Sequence, residues 1–337
     1  MTAPTMPDLA PALNGRPVLG APSHRRRTHG PSWRRSLRRQ LLPLLFLLPT
    51  VGLIGFLTIY PLGRLVATSF QNLGAFQLVQ HKVVWDGLTN YRTLFTSGGG
   101  LGTSILQTVL FVVACVGLTM AIGTGVALLL GRIGKVLRTV VTVCMLFTWA
   151  MPTSAAAIVW TWLFQTEYGV ANAMLTSLGL NFTNHNWFGS EIGAYSIIVA
   201  NIVWGAVPFV ALMMYSALSL VPRDLYEAAA VDGASAATSF RKVTMPIVRP
   251  IFVLMTVLSI IWDANVFNQI WYLTQGNAQL LNVVPLGVWQ YIEAFSGTQY
   301  GLGAAVAVVM ILLLVAVTGY YIRIMVRTGQ VKAEAKA

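Results

Sequence analysis

The sequence predicts an all-α integral membrane protein with six transmembrane helices, on three observations. First, 56% of the 337 residues are hydrophobic and only 9% are charged, whereas a soluble domain carries roughly a quarter charged residues. Second, the apolar residues gather into six stretches, at about 41–63, 104–131, 139–164, 195–220, 251–273 and 303–322, interrupted only by Asp263. Each supplies the roughly 20 apolar residues of helix that a hydrocarbon core about 30 Å thick demands. Their continuity excludes a β-barrel, whose strands alternate in segments of about ten residues.

The third observation is where the charge lies. The chain carries a formal net charge of +12, and eight of its 22 basic residues precede the first stretch. If the N-terminus is cytoplasmic, the loops with Arg132, Lys135 and Arg138 and with Arg223, Arg241, Lys242 and Arg249 also fall inside. So do Arg323, Arg327, Lys332 and Lys336, leaving only Arg64, Lys82 and Arg92 outside. This positive-inside asymmetry supports six spans with both termini in the cytoplasm. The charge therefore anchors an anionic leaflet of the lipid bilayer and calls for no nucleic acid.

Residues 1–32 combine scattered prolines with basic and polar residues, cannot bury a core, and are expected to be disordered. The run Leu41 to Tyr60 is longer than the 7 to 15 residues of a signal-peptide core, so it is expected to be an uncleaved first span. The six spans then form one domain over 33–325, followed by a short cytoplasmic tail at 326–337. Cys115 and Cys144 fall inside spans, where small apolar packing is their default role. His24, His29, His81 and His185 show no ligand spacing, so no metal site is expected.

The loop at 221–250 is written as two short helices with a hinge. Pro222 suits a first helical turn, and Asp224 and Glu227 complement the dipole there. Asp232 and Gly233 form a stop, with Gly233 free to adopt the left-handed conformation of a C-terminal cap. Ser235 caps a second helix that Pro246 is expected to end. Helices of about ten residues are marginal alone, so this pair needs a partner surface or lies on the membrane interface.

At this loop the sequence resembles the EAA motif of the permeases of binding-protein-dependent ABC importers. Glu227-Ala228-Ala229, Gly233 and Pro246 stand at the family spacing, with Val243 and Met245 in place of Ile and Leu. The string LYEAAAVDGASAATSFRKVTMPIVRP is similar to the carbohydrate branch. Other family-like segments are Gly87-Leu88-Thr89-Asn90-Tyr91, Trp160 to Phe164 with Tyr168, Gly169 and Asn172, Leu273-Thr274 with Gly276, and Tyr300-Gly301 with Ala304-Ala305. Where the family has Gly-Gly-Pro, this chain reads Gly276-Asn277-Ala278. The resemblance spans about residues 40–325.

The resemblance implies the six-span type I ABC importer permease fold in a bacterial plasma membrane, with 221–250 as a cytoplasmic coupling-helix loop. Glu227, Ala228, Ala229, Asp232 and Gly233 would form the surface seated in an ATPase subunit. The implied partners are a second permease subunit, two ATPase subunits and an extracytoplasmic binding protein. No phosphate loop occurs, since Gly131 to Lys135 reads GRIGK followed by Val136. This chain is therefore expected to bind no cofactor, with ATP and magnesium on the ATPase.

Asp263, twelve residues into the fifth stretch, carries an insertion cost of about 2.5 to 3.5 kcal/mol at mid-span and is a functional candidate by default. The alternative is a structural pair with a neighbouring span or subunit. Maltose-type relatives line their sugar site from three spans. Alignment on the nearby motifs places those positions at Trp149 and Thr153; at Ile202, Gly205, Ala206 and Phe209; and at Trp262, Asp263 and Val266. Aromatic faces against sugar C–H faces, with a carboxylate for hydroxyls, suit a polyol; core packing competes at each position. Ile202 and Val266 stand where the maltose-type pattern is polar, which argues against maltose itself. The expected function is ATP-driven import of a sugar or oligosaccharide, with a permease for polyamine, peptide or phosphate as the alternative. An ion-coupled secondary transporter would need more intramembrane ionisable groups and repeated halves than the sequence offers. A membrane enzyme would need a convergent polar cluster that the sequence does not show.

Overall fold

The computed structural model describes residues 46–96, 100–277, 281–282 and 284–334. The basic segment 1–32 and Ala278 lie outside the described residues. Contacts divide the chain into Met1–Ile59 and Tyr60–Ala337. The main helices are α1 (Phe46–Ser69), α2 (Thr89–Thr96), α3 (Gly100–Arg132), α4 (Lys135–Ala150), α5 (Thr153–Leu163) and α6 (Val170–Ser177). They continue as α7 (Glu191–Ser219), α8 (Arg223–Val231), α9 (Ala236–Ala264), α10 (Asn268–Leu273), α11 (Leu286–Tyr291) and α12 (Tyr300–Glu334).

Among the described residues five helices, α1, α3, α7, α9 and α12, are long and apolar enough to cross a membrane, and α4 with α5 makes a sixth when the bent pair is counted as one span. The central packing is α3 against α7. It depends on small residues: Cys115, Ala127, Ala194 and Ala211 are fully buried, and a Cβ at Gly123 would lie 2.7 Å from Val210 Cγ1. In hydrocarbon, such close backbone approach replaces the hydrophobic drive available in water. Of the two cysteines only Cys115 packs in this way; Cys144 is exposed on α4.

Three sequence expectations require correction. The stretch 139–164 is not one straight span but α4 and α5, bent by 100°. Pro152 is responsible: it opens α5, and Met151 before it is extended at φ −66°, ψ 130°, as the proline ring demands of its predecessor. The stretch 251–273 is likewise interrupted. Its helix ends at Ala264 and restarts at Asn268, so Asp263 sits at a helix end instead of mid-helix.

Thirdly, Pro246 does not terminate the second helix of the 221–250 loop. α9 runs unbroken from Ala236 through Pro246 and Pro250 to Ala264. A wide turn at Phe240–Thr244, in which Met245 N–H donates to the Phe240 carbonyl, absorbs the carbonyl clash that a proline makes one turn back. α12 continues past residue 326 to Glu334.

Several family-like segments prove to be loop anchors. Asn90 Nδ2 donates to the carbonyls of Ser69 (3.0 Å) and Gln71 (2.9 Å), and the Tyr91 and Ser69 hydroxyls lie 2.7 Å apart. Asn172 Nδ2 donates to the carbonyls of Thr166 (3.0 Å) and His185 (2.9 Å), while its Oδ1 accepts from Trp187 Nε1 at 2.7 Å. At the start of α12, Gly301 N–H donates to the Leu73 carbonyl at 3.0 Å, and a Cβ on Gly301 would overlap the Gln71 carbonyl oxygen. Gly301→Ala is therefore expected to destabilise the folded protein by about 3 kcal/mol. Gly319→Ala on the same helix meets nothing within 4 Å and should be neutral. Monodisperse yield in detergent, compared for the two variants, checks this.

Candidate functional site

The two helix breaks face one cavity. α5 and α10, the short segments beyond each break, pack on one another, and a cavity of about 460 Å³ opens beside them. All nine residues aligned with the sugar-lining positions lie on its wall: Trp149 and Thr153 astride the first break, Ile202, Gly205, Ala206 and Phe209 on α7, and Trp262, Asp263 and Val266 at the second. Irregular backbone at membrane depth is tolerated where it lines a cavity.

The wall has two characters. Trp149 stacks on Phe209 with ring centroids 5.8 Å apart, and Phe209 meets Trp262 at 5.4 Å, giving a row of three rings. Trp149 and Trp262 remain about half exposed, at 52% and 49%, so their faces are open to a ligand. Ile202 and Val266, by contrast, are buried and belong to the hydrophobic core cluster as well.

The polar part is deeper. Asp263 is 5% exposed and Asn201 3%. Asp263 Oδ2 and Asn201 Nδ2 are both buried without a hydrogen-bond partner among the described residues. Leaving such groups unpaired typically costs about 1 to 3 kcal/mol each. The Asp263 end of α9 is closed locally by Asn265, whose Nδ2 donates to the Ile261 carbonyl (2.7 Å), and is approached from α11 by Gly287, where a Cβ would be 3.3 Å from the Ala264 carbonyl. Leu286 N–H, next to it, donates to buried Thr108 Oγ1 on α3 at 2.9 Å.

A larger cleft of about 1100 Å³ runs between α3, α4 and α7, with Gln107, Glu191 and Tyr195 among aliphatic and aromatic side chains. Its wall suits hydrocarbon better than a hydroxylated ligand. The smaller cavity holds the buried acid and amides.

A second feature stands at the base of α9. α8 begins after Pro222 and ends in a two-bond glycine cap: Gly233, at φ +74°, donates its N–H to the Ala230 carbonyl (3.0 Å), and Ala234 donates to Ala229 (2.9 Å). That bond pair is the Schellman arrangement, which needs a left-handed residue at Gly233. Ser235 then caps α9, its Oγ accepting from Thr238 N–H at 3.3 Å. Glu227, Ala228, Asp232 and Gly233 are exposed and Ala229 half-buried, beside Val231 at 88% exposure. A hydroxyl pair ties this hairpin to the span: the hydroxyls of Tyr226 and buried Thr244 lie 2.9 Å apart, at the wide turn of α9.

Comparison with known proteins places these features in a family. Residues 123–328 match the model for the binding-protein-dependent transport system inner membrane component. The chain belongs to this family. Among its relatives, this transport component is 39% identical over 288 residues to the diacetylchitobiose uptake system permease protein DasB of Streptomyces coelicolor, covering 85% of this chain and 87% of that one. It is 31% identical to the trehalose/maltose transport system permease protein MalF of Thermococcus litoralis, covering 80% and 93%. A chain of a bacterial alginate ABC transporter shares the fold, with a TM-score of 0.71 at 20% identity over 85% of this chain and 94% of that one.

Sequence reasoning missed several wall residues of the transport component: Asn201, Asn265, Asn268 and Gln269. The signal for three of them was present, since 265–269 reads Asn-Val-Phe-Asn-Gln inside an apolar stretch, the mark of a helix interruption. Asn201 had no such mark; only its burial without a partner reveals it.

Proposed function

We propose that this permease carries a sugar or oligosaccharide across the bacterial plasma membrane by alternating access, through the cavity lined by Trp149, Phe209, Trp262 and Asp263. The observation that carries the reading is the row of three rings beside a buried carboxylate oxygen with no partner. Rings cover the C–H faces of a pyranose, and the carboxylate accepts from its hydroxyls. The relatives named for diacetylchitobiose and for trehalose and maltose support the substrate class. A polyamine or phosphate would want several acids or several bases, and the wall has one acid and no base.

The remaining machinery is supplied by partners. An extracytoplasmic binding protein delivers the sugar, a second permease subunit completes the path, and two ATPase subunits hold ATP and magnesium. The exposed face of α8, with Glu227, Ala228, Ala229, Asp232 and Gly233, docks on an ATPase. Both termini and the 221–250 loop are cytoplasmic. A cysteine at Val231, in a background lacking Cys115 and Cys144, should react with a membrane-impermeant maleimide only after the vesicle interior is opened to it; labelling of intact cells from outside contradicts the topology.

Tyr226 then links docking to the span. Tyr226→Phe removes one hydroxyl pair with Thr244, a bond worth about 1 kcal/mol, and is expected to lower sugar uptake about fivefold at unchanged complex yield. Uptake at the wild-type rate would remove Tyr226 from the coupling path. The substrate class itself is tested by uptake of labelled diacetylchitobiose, maltose and trehalose into proteoliposomes of the complete transporter. At least one should accumulate, whereas transport of a polyamine or phosphate and of no sugar would overturn the reading.

A further inference from the structure

We infer that the cavity is a filter against acidic sugars: Asn201 and Asp263 together bind uncharged sugar units, and the wall excludes acidic ones. The inference rests on the reading of this cavity as the sugar site and adds a binding residue and a charge rule to it.

The first argument is electrostatic. Among the described residues the cavity wall carries one acid, Asp263, and no Lys, Arg or His; its other polar side-chain groups are threonine hydroxyls, the indole N–H groups of Trp149, Trp204 and Trp262, and the amides of Asn201, Asn265, Asn268 and Gln269. A uronate or sulfonate entering it would be buried without a counter-charge, close to a carboxyl group. Burial of an unpaired charge is the most costly of polar transfers, and neutral amides do not substitute for the bidentate arginine that acidic ligands favour.

The second argument concerns hydrogen-bond complementarity. The unpartnered groups are a donor, Asn201 Nδ2, and an acceptor, Asp263 Oδ2, on α7 and on α9 respectively. Both residues face the same cavity, and both are more than nine-tenths buried. A sugar hydroxyl or acetamido group offers a donor and an acceptor together, so one neutral unit satisfies both walls. A carboxylate offers acceptors only; it serves Asn201 and leaves Asp263 facing another oxygen.

The rings do not distinguish the two ligand classes, because Trp149, Phe209 and Trp262 meet the C–H face of either. Selectivity between neutral and acidic sugars therefore falls to the Asn201 and Asp263 pair. Asn201 acts as a specificity residue in contact with substrate.

The test separates this chain from the selectivity of the binding protein. The complete transporter in lipid nanodiscs, without binding protein, is titrated with a panel of neutral disaccharides: diacetylchitobiose, maltose, trehalose and cellobiose. The tightest is then compared with its analogue oxidised to the carboxylate at C6. The expected result is that the acid binds at least about tenfold more weakly. Asn201→Leu, similar in size, should weaken the neutral sugar about tenfold and narrow its advantage over the acid. If that variant fails to assemble, the wild-type comparison alone decides. Equal binding of neutral and acidic sugars, within about threefold, overturns the filter while leaving the sugar site standing. Wild-type affinity in Asn201→Leu removes the residue from it. No binding of any sugar overturns the site and the filter together.

Discussion

Gly233→Pro is expected to abolish ATP-driven uptake while leaving the protein in the membrane. Gly233 holds φ at +74° and donates to the Ala230 carbonyl; proline fixes φ near −65° and has no N–H. Both cap bonds would be lost, and α8 would leave the loop in a different direction from the one that presents Glu227 and Asp232. No span is altered, so insertion and yield should persist while uptake falls more than about a hundredfold. A Cβ at Gly233 meets nothing within 4 Å, so the requirement is conformational, not steric. The series should therefore rank by tolerance of positive φ: Gly233→Asn closest to wild type, Gly233→Ala lower by the roughly 1 kcal/mol of left-handed strain, and Gly233→Pro inactive. Co-purification of the ATPase subunits with each variant reads the docking step, and a proline variant that bound them and transported normally would contradict the coupling role.

Asp263→Asn carries the second large effect. The substitution keeps the shape and one acceptor but removes the charge that strengthens hydrogen bonds to sugar hydroxyls. Bonds to charged groups contribute about 1.5 to 3 kcal/mol, so affinity for the transported sugar should fall roughly tenfold to a hundredfold, with complex yield unchanged. A structural pair with a group on the second permease subunit predicts the reverse. Leaving that partner uncompensated typically costs about 3 to 5 kcal/mol, so assembly would fall and selectivity would not change. Uptake and complex yield measured side by side separate the two outcomes.

The positions of the six spans were legible because hydropathy reports the transfer of side chains into hydrocarbon, and that term decides which segments cross. What those segments do inside the membrane was less so. Pro152 was visible in the sequence, yet an apolar run across it reads as one span, and the 100° bend appears only when Met151 takes its extended conformation. Pro246 was read as a stop by the ordinary rule for helices. The wide turn at Phe240–Thr244 lets the chain pass through it, a local adjustment with no pattern of its own.

The cavity shows the same division. Alignment on neighbouring motifs brought nine residues from three spans to one wall, because the motifs themselves are anchors: Asn172, Gly301 and Gly233 each hold a loop or cap whose geometry allows little variation. Asn201 escaped notice because an asparagine in an apolar helix looks like any polar residue satisfied by a neighbour. That its Nδ2 has no such neighbour among the described residues is a property of packing in three dimensions.

In the proposed mechanism ATP, acting through α8, drives a sugar through the cavity of this permease. The most direct measurement is accumulation of the labelled sugar in proteoliposomes containing this permease, its second permease subunit, the ATPase subunits and the binding protein. Internal magnesium-ATP and the external binding protein should both be required, and a proton or sodium gradient should have no effect. Accumulation that followed the ion gradient and persisted without ATP would contradict it.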